Sequence, residues 1–144
     1  MNVTIREIRS EDYEASIRFW ESIDEIELDD SEGKQDFEFF LRRNKGMSFL
    51  ALDKEEVIGA CLASHNGRRG FLDHLAIAPS HRRKGLGKML VEKCLKVLQA
   101  EGIKRNYVFL FKENAEGRAF WEHIGWSQCD EYVMMSIQLD RNTR

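Results

Sequence analysis

Val3, Ile5 and Ile8 recur through NVTIREIR with polar residues between them, the period-two pattern of a half-buried strand. Ser10 and Asp12 are cap residues for a helix carrying Ile17, Phe19, Trp20 and Ile23. After the acidic stretch 24–32 a second helix is predicted, with Phe37, Phe40 and Leu41 on its apolar face. From Met47 the period changes. MSFLALD and VIGACLASH read as strands around the polar turn Lys54-Glu55-Glu56, and the turn Asn66-Gly67-Arg68-Arg69-Gly70 leads into FLDHLAIA. Three strands joined by tight turns imply an antiparallel meander, which Pro79 ends. Leu86, Leu90, Cys94, Val97 and Leu98 then recur at helical spacing over 86–101, and Gly102 closes that helix as a C-cap. YVFLF predicts another strand, 115–124 a short helix, Gly125 a break, and the stretch through Leu139 a final strand pair. This order describes an α+β domain with a mixed sheet.

The chain has 144 residues, which fits one domain over 1–144. With 42% hydrophobic and 33% charged residues it can bury a core and stay soluble. The net charge of −3 speaks against a general nucleic-acid partner. Cys61, Cys94 and Cys129 are widely spaced in apolar neighbourhoods, so they read as buried thiols rather than a disulfide framework or zinc site. His65, His81 and His123 are not spaced as a metal set, and no metal is expected. The amino-terminal stretch lacks a signal-peptide profile, and no apolar run approaches the roughly 20 residues that span a bilayer. A cytoplasmic protein with no membrane partner is expected.

One local feature departs from the acidic background. SHRRKGLGK places Arg82, Arg83, Lys84 and Lys88 around Gly85-Leu86-Gly87, where a turn enters a helix. Amides at a helix start lack intrahelical acceptors, and the helix dipole adds about half a positive charge there. Glycines let the backbone approach an anion, and arginine and lysine add charge-assisted hydrogen bonds. The chemistry is that of a pyrophosphate site. A P-loop is excluded because Met89 follows Gly87-Lys88, and a dinucleotide fingerprint because Leu90 stands three residues beyond Gly87.

What remains, Arg82-Arg83-Lys84-Gly85-Leu86-Gly87 after a strand ending HLAIAP, resembles the R/Q-x-x-G-x-G/A motif of the GNAT superfamily of acyl-CoA-dependent N-acyltransferases. VFLFKENAEGRAFWEHIGW is similar to a second family pattern, with Asn114, Phe120, Trp121, Gly125 and Trp126 in the matching positions. The likeness runs over roughly residues 3–139. The turn HNGRRG resembles a bacterial branch without an assigned substrate.

The resemblance implies an α+β fold with a mostly antiparallel twisted sheet of about seven strands, strands 4 and 5 splayed, and four flanking helices. The backbone of Leu75, Ala76 and Ile77 would bind the pantetheine arm of acetyl-CoA, the co-substrate. The amide near Leu75 would stabilise the oxyanion. Amides of Arg83, Lys84, Gly85, Leu86, Gly87 and Lys88 would cradle the pyrophosphate, with charge from Arg82 and Lys88. Asn114 and Trp121 would contact the cofactor arm. Many relatives place at Trp121 a tyrosine that protonates the leaving thiolate, which indole cannot do near neutral pH. Solvent, Tyr107 or Tyr132 would then serve. Asp73 is the candidate base, on the reading that it shares a strand face with Leu75 and Ile77. His74 falls on the opposite face unless a β-bulge exchanges the two.

Three functions follow. The first is transfer of an acetyl group from acetyl-CoA to a primary amine of a small molecule, by direct attack in a ternary complex. The others are a protein lysine or N-terminal acetyltransferase, and an acyl-CoA-binding module without turnover. Phe109 stands where relatives acting on a ribosomal protein's N-terminus carry glutamate, which weakens the protein-terminus reading. The oligomeric state stays open, a homodimer being common among relatives.

Overall fold

Alternation of apolar residues builds the amino-terminal strands in a computed structural model that describes residues 2–140. Strand β1 (Val3–Glu7) pairs antiparallel with β2 (Phe49–Asp53), and β2 with β3 (Glu56–His65). Lys54 and Glu55 close that hairpin, both at positive φ, 50° and 70°. Positive φ at both loop positions matches the twist of the flanking strands, so two residues suffice and Glu56 joins the strand. Strand β4 (Arg69–Ile77) pairs antiparallel with β3, and β5 (Arg105–Val108) parallel with β4. The order is β1-β2-β3-β4-β5.

Helices α1 (Tyr13–Glu21) and α2 (Lys34–Arg43) contribute Phe19, Trp20 and Phe37 to a core shared with Ile8, Ile23, Leu50, Ala60, Leu62 and Ala76. Asp12 ends a single 3₁₀ turn before α1. Its carboxylate does not cap that helix but takes a two-pronged hydrogen bond from Arg6, at 2.7 and 2.8 Å. Helix α3 (Leu86–Ala100) packs on β2, β3 and β4 through Leu86, Leu90, Val91, Cys94 and Leu98. Each such leucine contributes about 1.5–3 kcal/mol relative to exposure. Cys61 and Cys94 are buried free thiols, as their setting predicted.

Strand β4 contains the irregularity on which the site depends. Ala60 is opposite Ala76 and Leu62 opposite Asp73, so two steps along β3 face three along β4. The extra residue is a β-bulge, and His74 adopts φ 53° within it. Asp73 therefore shares a face with Ala76, toward α1 and α2. Ile77 turns to the α3 face, where its Cδ1 and that of Leu90 both crowd Gly59. The expectation that Asp73 shares a face with Leu75 and Ile77 is thus corrected, the bulge being the cause.

Pairing of β4 with β5 runs from Arg69 to Leu72 and stops immediately before the bulge. Among the described residues β4 has no strand partner on that side from Asp73 to Ile77, in line with the splay expected of strands 4 and 5. Strand β5 also begins two residues before YVFLF and ends at Val108, because its partner turns away there.

The described chain divides into two units after Phe109. In the carboxy-terminal unit, Asn114 caps α4 (Ala115–His123), its Oδ1 accepting from the Gly117 N–H at 2.8 Å. Trp121 is buried, edge-on to Trp126 at 4.7 Å between centroids. Past Gly125 the expected strand pair is absent. Residues 127–140 are exposed and have no ladder partner among the described residues, so the sheet described has five strands rather than about seven. Cys129 lies in this stretch and is exposed, not buried.

Candidate active site

The basic turn folds as its composition suggests. Arg83 and Gly85 both take left-handed φ, 62° and 82°, and Gly85 is the N-cap of α3. The first helical hydrogen bond runs from the Met89 N–H to the Gly85 carbonyl at 3.1 Å. The amides of Leu86, Gly87 and Lys88 before it have no intrahelical acceptor and point out at the positive end of a four-turn helix. A side chain added at Gly85 would meet nothing within 4 Å, so glycine is required there by its φ. Arg83, Lys84 and Lys88 are exposed around this cradle. His81 Nε2 lies 2.7 Å from Asp53 and ties the turn to the end of β2, holding the Asp53 carboxyl below its usual range.

Arg82 is placed differently from its neighbours. Its Nε donates to the Ile77 carbonyl at 2.8 Å, and its guanidinium lies 4.0 Å from Glu25. The guanidinium thus braces the end of β4 and joins the basic turn to the acidic stretch.

The uncovered edge of β4 offers backbone groups of its own. The Ala78 N–H donates to Ile58 on β3 at 2.8 Å. Strand alternation then aims the groups of Ala76 at β3 and those of Leu75 and Ile77 at the open edge. Leu75 and Ile77 can pair with an extended ligand there. Ala76 cannot, being turned into the ladder opposite Ala60.

On the α1 and α2 side of the bulge lies a cavity of about 310 Å³. Asp29, Glu32, Asp36 and Asp73 put four carboxyl groups on its wall, with His74 among them and Phe37, Phe40 and Leu62 as the apolar part. Burial pushes the Asp73 carboxyl above its usual range; nearby His74 opposes this and Glu32 adds to it. His74 Nε2 lies 3.2 Å from Glu32 Oε1, so the pair ties the acidic stretch to the bulge. Tyr13 fixes the same stretch from below, donating to the Glu32 carbonyl at 2.9 Å. Among the described residues no three His, Cys, Asp or Glu side chains converge to hold a metal.

Asp73 and the backbone of Leu75 and Ile77 thus meet at one bulge, on opposite aspects of one strand. The sequence pattern did not bring His74 and Asp36 to the cavity beside the acidic stretch that holds Glu32. Their separation along the chain hid them, and only the cluster of acids in 24–32 was a signal. Asn114 and Trp121 belong to the carboxy-terminal unit, where one caps α4 and the other packs on Trp126. Tyr107 is on β5, its ring 6.0 Å from Phe71, and Tyr132 is exposed.

The profile of the acetyltransferase (GNAT) family matches residues 3–126. The chain belongs to that family. It is an acetyl-CoA-dependent acyltransferase. This GNAT chain is 26% identical over 127 residues to an acetyltransferase of Pectobacterium atrosepticum, covering 88% of this chain and 89% of the relative. Among solved structures it is similar to the PaiA N-acetyltransferase of Thermoplasma acidophilum in complex with coenzyme A. The TM-score is 0.72 at 18% identity, over 88% of this chain and 91% of that one. It is also similar to an aminoglycoside acetyltransferase from an uncultured soil metagenomic sample in complex with sisomicin. There the TM-score is 0.75 at 17% identity, over 96% and 97% of the two chains. At these identities the structural likeness concerns the fold. Among the described residues of this GNAT chain, no helix is long and apolar enough to cross a membrane.

Proposed function

We propose that this acetyltransferase acetylates a primary amine of a small cationic molecule, by direct attack within a ternary complex. The observation that carries the reading is the cavity with four carboxyl groups beside the β4 bulge. Such a wall attracts a protonated amine, and the phenylalanines hold its hydrocarbon part. One relative of the same fold is an aminoglycoside acetyltransferase in complex with sisomicin, which is compatible with such an acceptor.

Acetyl-CoA supplies the acetyl group as an activated thioester. The amides of Arg83, Lys84, Gly85, Leu86, Gly87 and Lys88 hold its pyrophosphate, and the edge of Leu75 and Ile77 pairs with the pantetheine arm. Asp73 takes a proton from the ammonium group, directly or through one water. An amine with a pKa near 10 is otherwise mostly protonated at neutral pH. A carboxyl whose proton affinity burial raises is a better base than an ordinary carboxylate. The amine nitrogen bonds to the carbonyl carbon, and the Leu75 N–H donates to the oxygen that gains charge. The carbon–sulfur bond then breaks, the nitrogen gives up its second proton to solvent, and the thiolate takes a proton from solvent, its pKa near 8.5 making that transfer easy.

Both units are taken as parts of one acetyltransferase domain, because the family match runs through both. The test is release of the CoA thiol from acetyl-CoA with neutral, monocationic and polycationic amines. Acceptor-dependent release that rises with the acceptor's charge supports the reading. Release with no small amine, or equal rates regardless of charge, overturns it.

A further inference from the structure

Three side chains between the end of β2 and the start of α3 have no part in the acetyl transfer described above. Pro79 opens a single 3₁₀ turn, Pro79–His81, in which the His81 N–H donates to the Ala78 carbonyl at 2.8 Å. In that turn the Ser80 Oγ lies 2.7 Å from His81 Nδ1. On the other side of the same ring, His81 Nε2 lies 2.7 Å from Asp53 Oδ2. Asp53 ends β2, so the fold brings a carboxylate to an imidazole that already holds a hydroxyl.

The chemistry of the three groups assigns their roles. An ionised carboxylate only accepts hydrogen bonds, so the ring nitrogen facing Asp53 carries the proton. The hydrogen bond with His81 holds the Asp53 carboxyl below its usual range, which keeps it ionised at neutral pH. In the neutral ring Nδ1 is then the acceptor, and it takes the hydrogen of the Ser80 hydroxyl. A hydroxyl on a base that a third group orients is the arrangement of an activated serine. Ser80 is exposed, whereas the side chains of His81 and Asp53 are only 16% and 24% exposed. A reagent therefore reaches the hydroxyl while its base stays largely sheltered. Arg82, Arg83 and Lys84 follow directly and are exposed, so donors with anionic groups are drawn to the same turn.

We propose that Ser80 is a second acyl acceptor of this protein, a nucleophile with His81 as its base and Asp53 as a positioning residue. It takes an acetyl group from an activated ester or thioester. The Ser80 Oγ bonds to the carbonyl carbon as its proton passes to His81 Nδ1. The bond from that carbon to the leaving group breaks, and the imidazolium returns the proton to the leaving group. The products are an acetyl ester on Ser80 and a free phenol or thiol.

The experiment treats the full chain with para-nitrophenyl acetate in one arm and acetyl-CoA in the other, and peptide mass mapping follows acetyl on each serine with time. The phenyl ester carries no phosphate, so that arm is independent of how coenzyme A is held. In at least one arm Ser80 should be acetylated at least about tenfold faster than Ser10, an exposed serine with no histidine beside it in the chain. His81→Gln should bring Ser80 down to the rate of Ser10, and Asp53→Asn should slow it by at least about fivefold. Circular dichroism verifies that both variants fold. Nitrogen NMR of His81 separates positioning from mere support: the parent should show Nδ1 without a proton, and Asp53→Asn should move the proton toward it. Four outcomes overturn the proposal. They are a Ser80 no faster than Ser10 in both arms, an unchanged Ser80 rate in folded His81→Gln, a protonated Nδ1 in the parent at neutral pH, and an Asp53→Asn variant with the rate and tautomer of the parent.

Discussion

The indole Nε1 of Trp20 donates to the main-chain carbonyl of His74 at 3.0 Å, and His74 is the bulged residue of β4 with φ 53°. The bulge takes His74 out of register with β3, and the hydrogen bond gives its carbonyl a partner from α1. A fully buried tryptophan thus holds the distortion that separates Asp73 from Leu75. Left-handed φ at a non-glycine residue costs roughly 1–3 kcal/mol, so the bond offsets a real strain.

Trp20→Phe keeps an aromatic ring at the site but removes the donor and part of the indole volume. It should lower stability by about 1–3 kcal/mol through the unpaired carbonyl and residual space. Urea unfolding monitored by circular dichroism measures this. A loss below about 0.5 kcal/mol, the size of a surface substitution, would mean the bulge holds without α1.

Asp73→Asn should oppose activity and stability. Burial raises the folded-state carboxyl above its ordinary value. Ionised Asp73 therefore costs stability that is recovered as pH falls through the folded pKa and is complete below the unfolded pKa, near 4. At neutral pH the asparagine variant should melt higher than the parent, and the gap should close as the medium is acidified. Its turnover should drop by on the order of 10²-fold at neutral pH and recover where the amine is already deprotonated. A variant that melts lower at neutral pH would show that Asp73 has a structural partner.

Gly87→Asp separates phosphate binding from folding. Gly87 is in the first turn of α3 and is not among the left-handed glycines. A carboxylate there suits the helix dipole by about 0.3–1 kcal/mol, so the melting temperature should hold or rise. The same charge repels a pyrophosphate, and acetyl-CoA affinity should fall by at least about tenfold. Calorimetric titration with acetyl-CoA reads the affinity, and unchanged affinity would place the pyrophosphate elsewhere.

Glu32→Gln tests the acidic wall. Glu32 is half of the pair with His74 and lies on the cavity that Asp73 shares. Losing its charge should raise KM for a polycationic amine on the order of fivefold, about 1 kcal/mol, with kcat much less affected. The effect should shrink in high salt, as screening predicts. A change confined to kcat would instead give Glu32 a part in proton transfer.

Much of this architecture is legible in the residue order because it rests on local rules. The α3 stripe of Leu86, Leu90, Cys94 and Leu98 fixes which side of the helix is buried, and Gly85 at φ 82° matches the backbone its turn requires. The basic turn that enters α3 was readable for the same reason. Its chemistry belongs to consecutive amides and side chains.

Other features depend on partners far along the chain. FLDHLAI reads as plain alternation, and no local signal marks His74 as the residue the ladder skips. That choice is made by the register against β3 and by the Trp20 hydrogen bond from α1. Nor does local pattern bring Glu32 and Asp36 to Asp73. The strand-like period of Val133 to Leu139 was readable, yet period alone cannot supply an edge to pair with. The sequence by itself determined the helices, the strand periods and the basic glycine turn, since each depends on neighbours a few residues apart. Tertiary structure alone decided the face of Asp73 and the walls of its cavity, because bulges and cavities arise from the packing of distant segments.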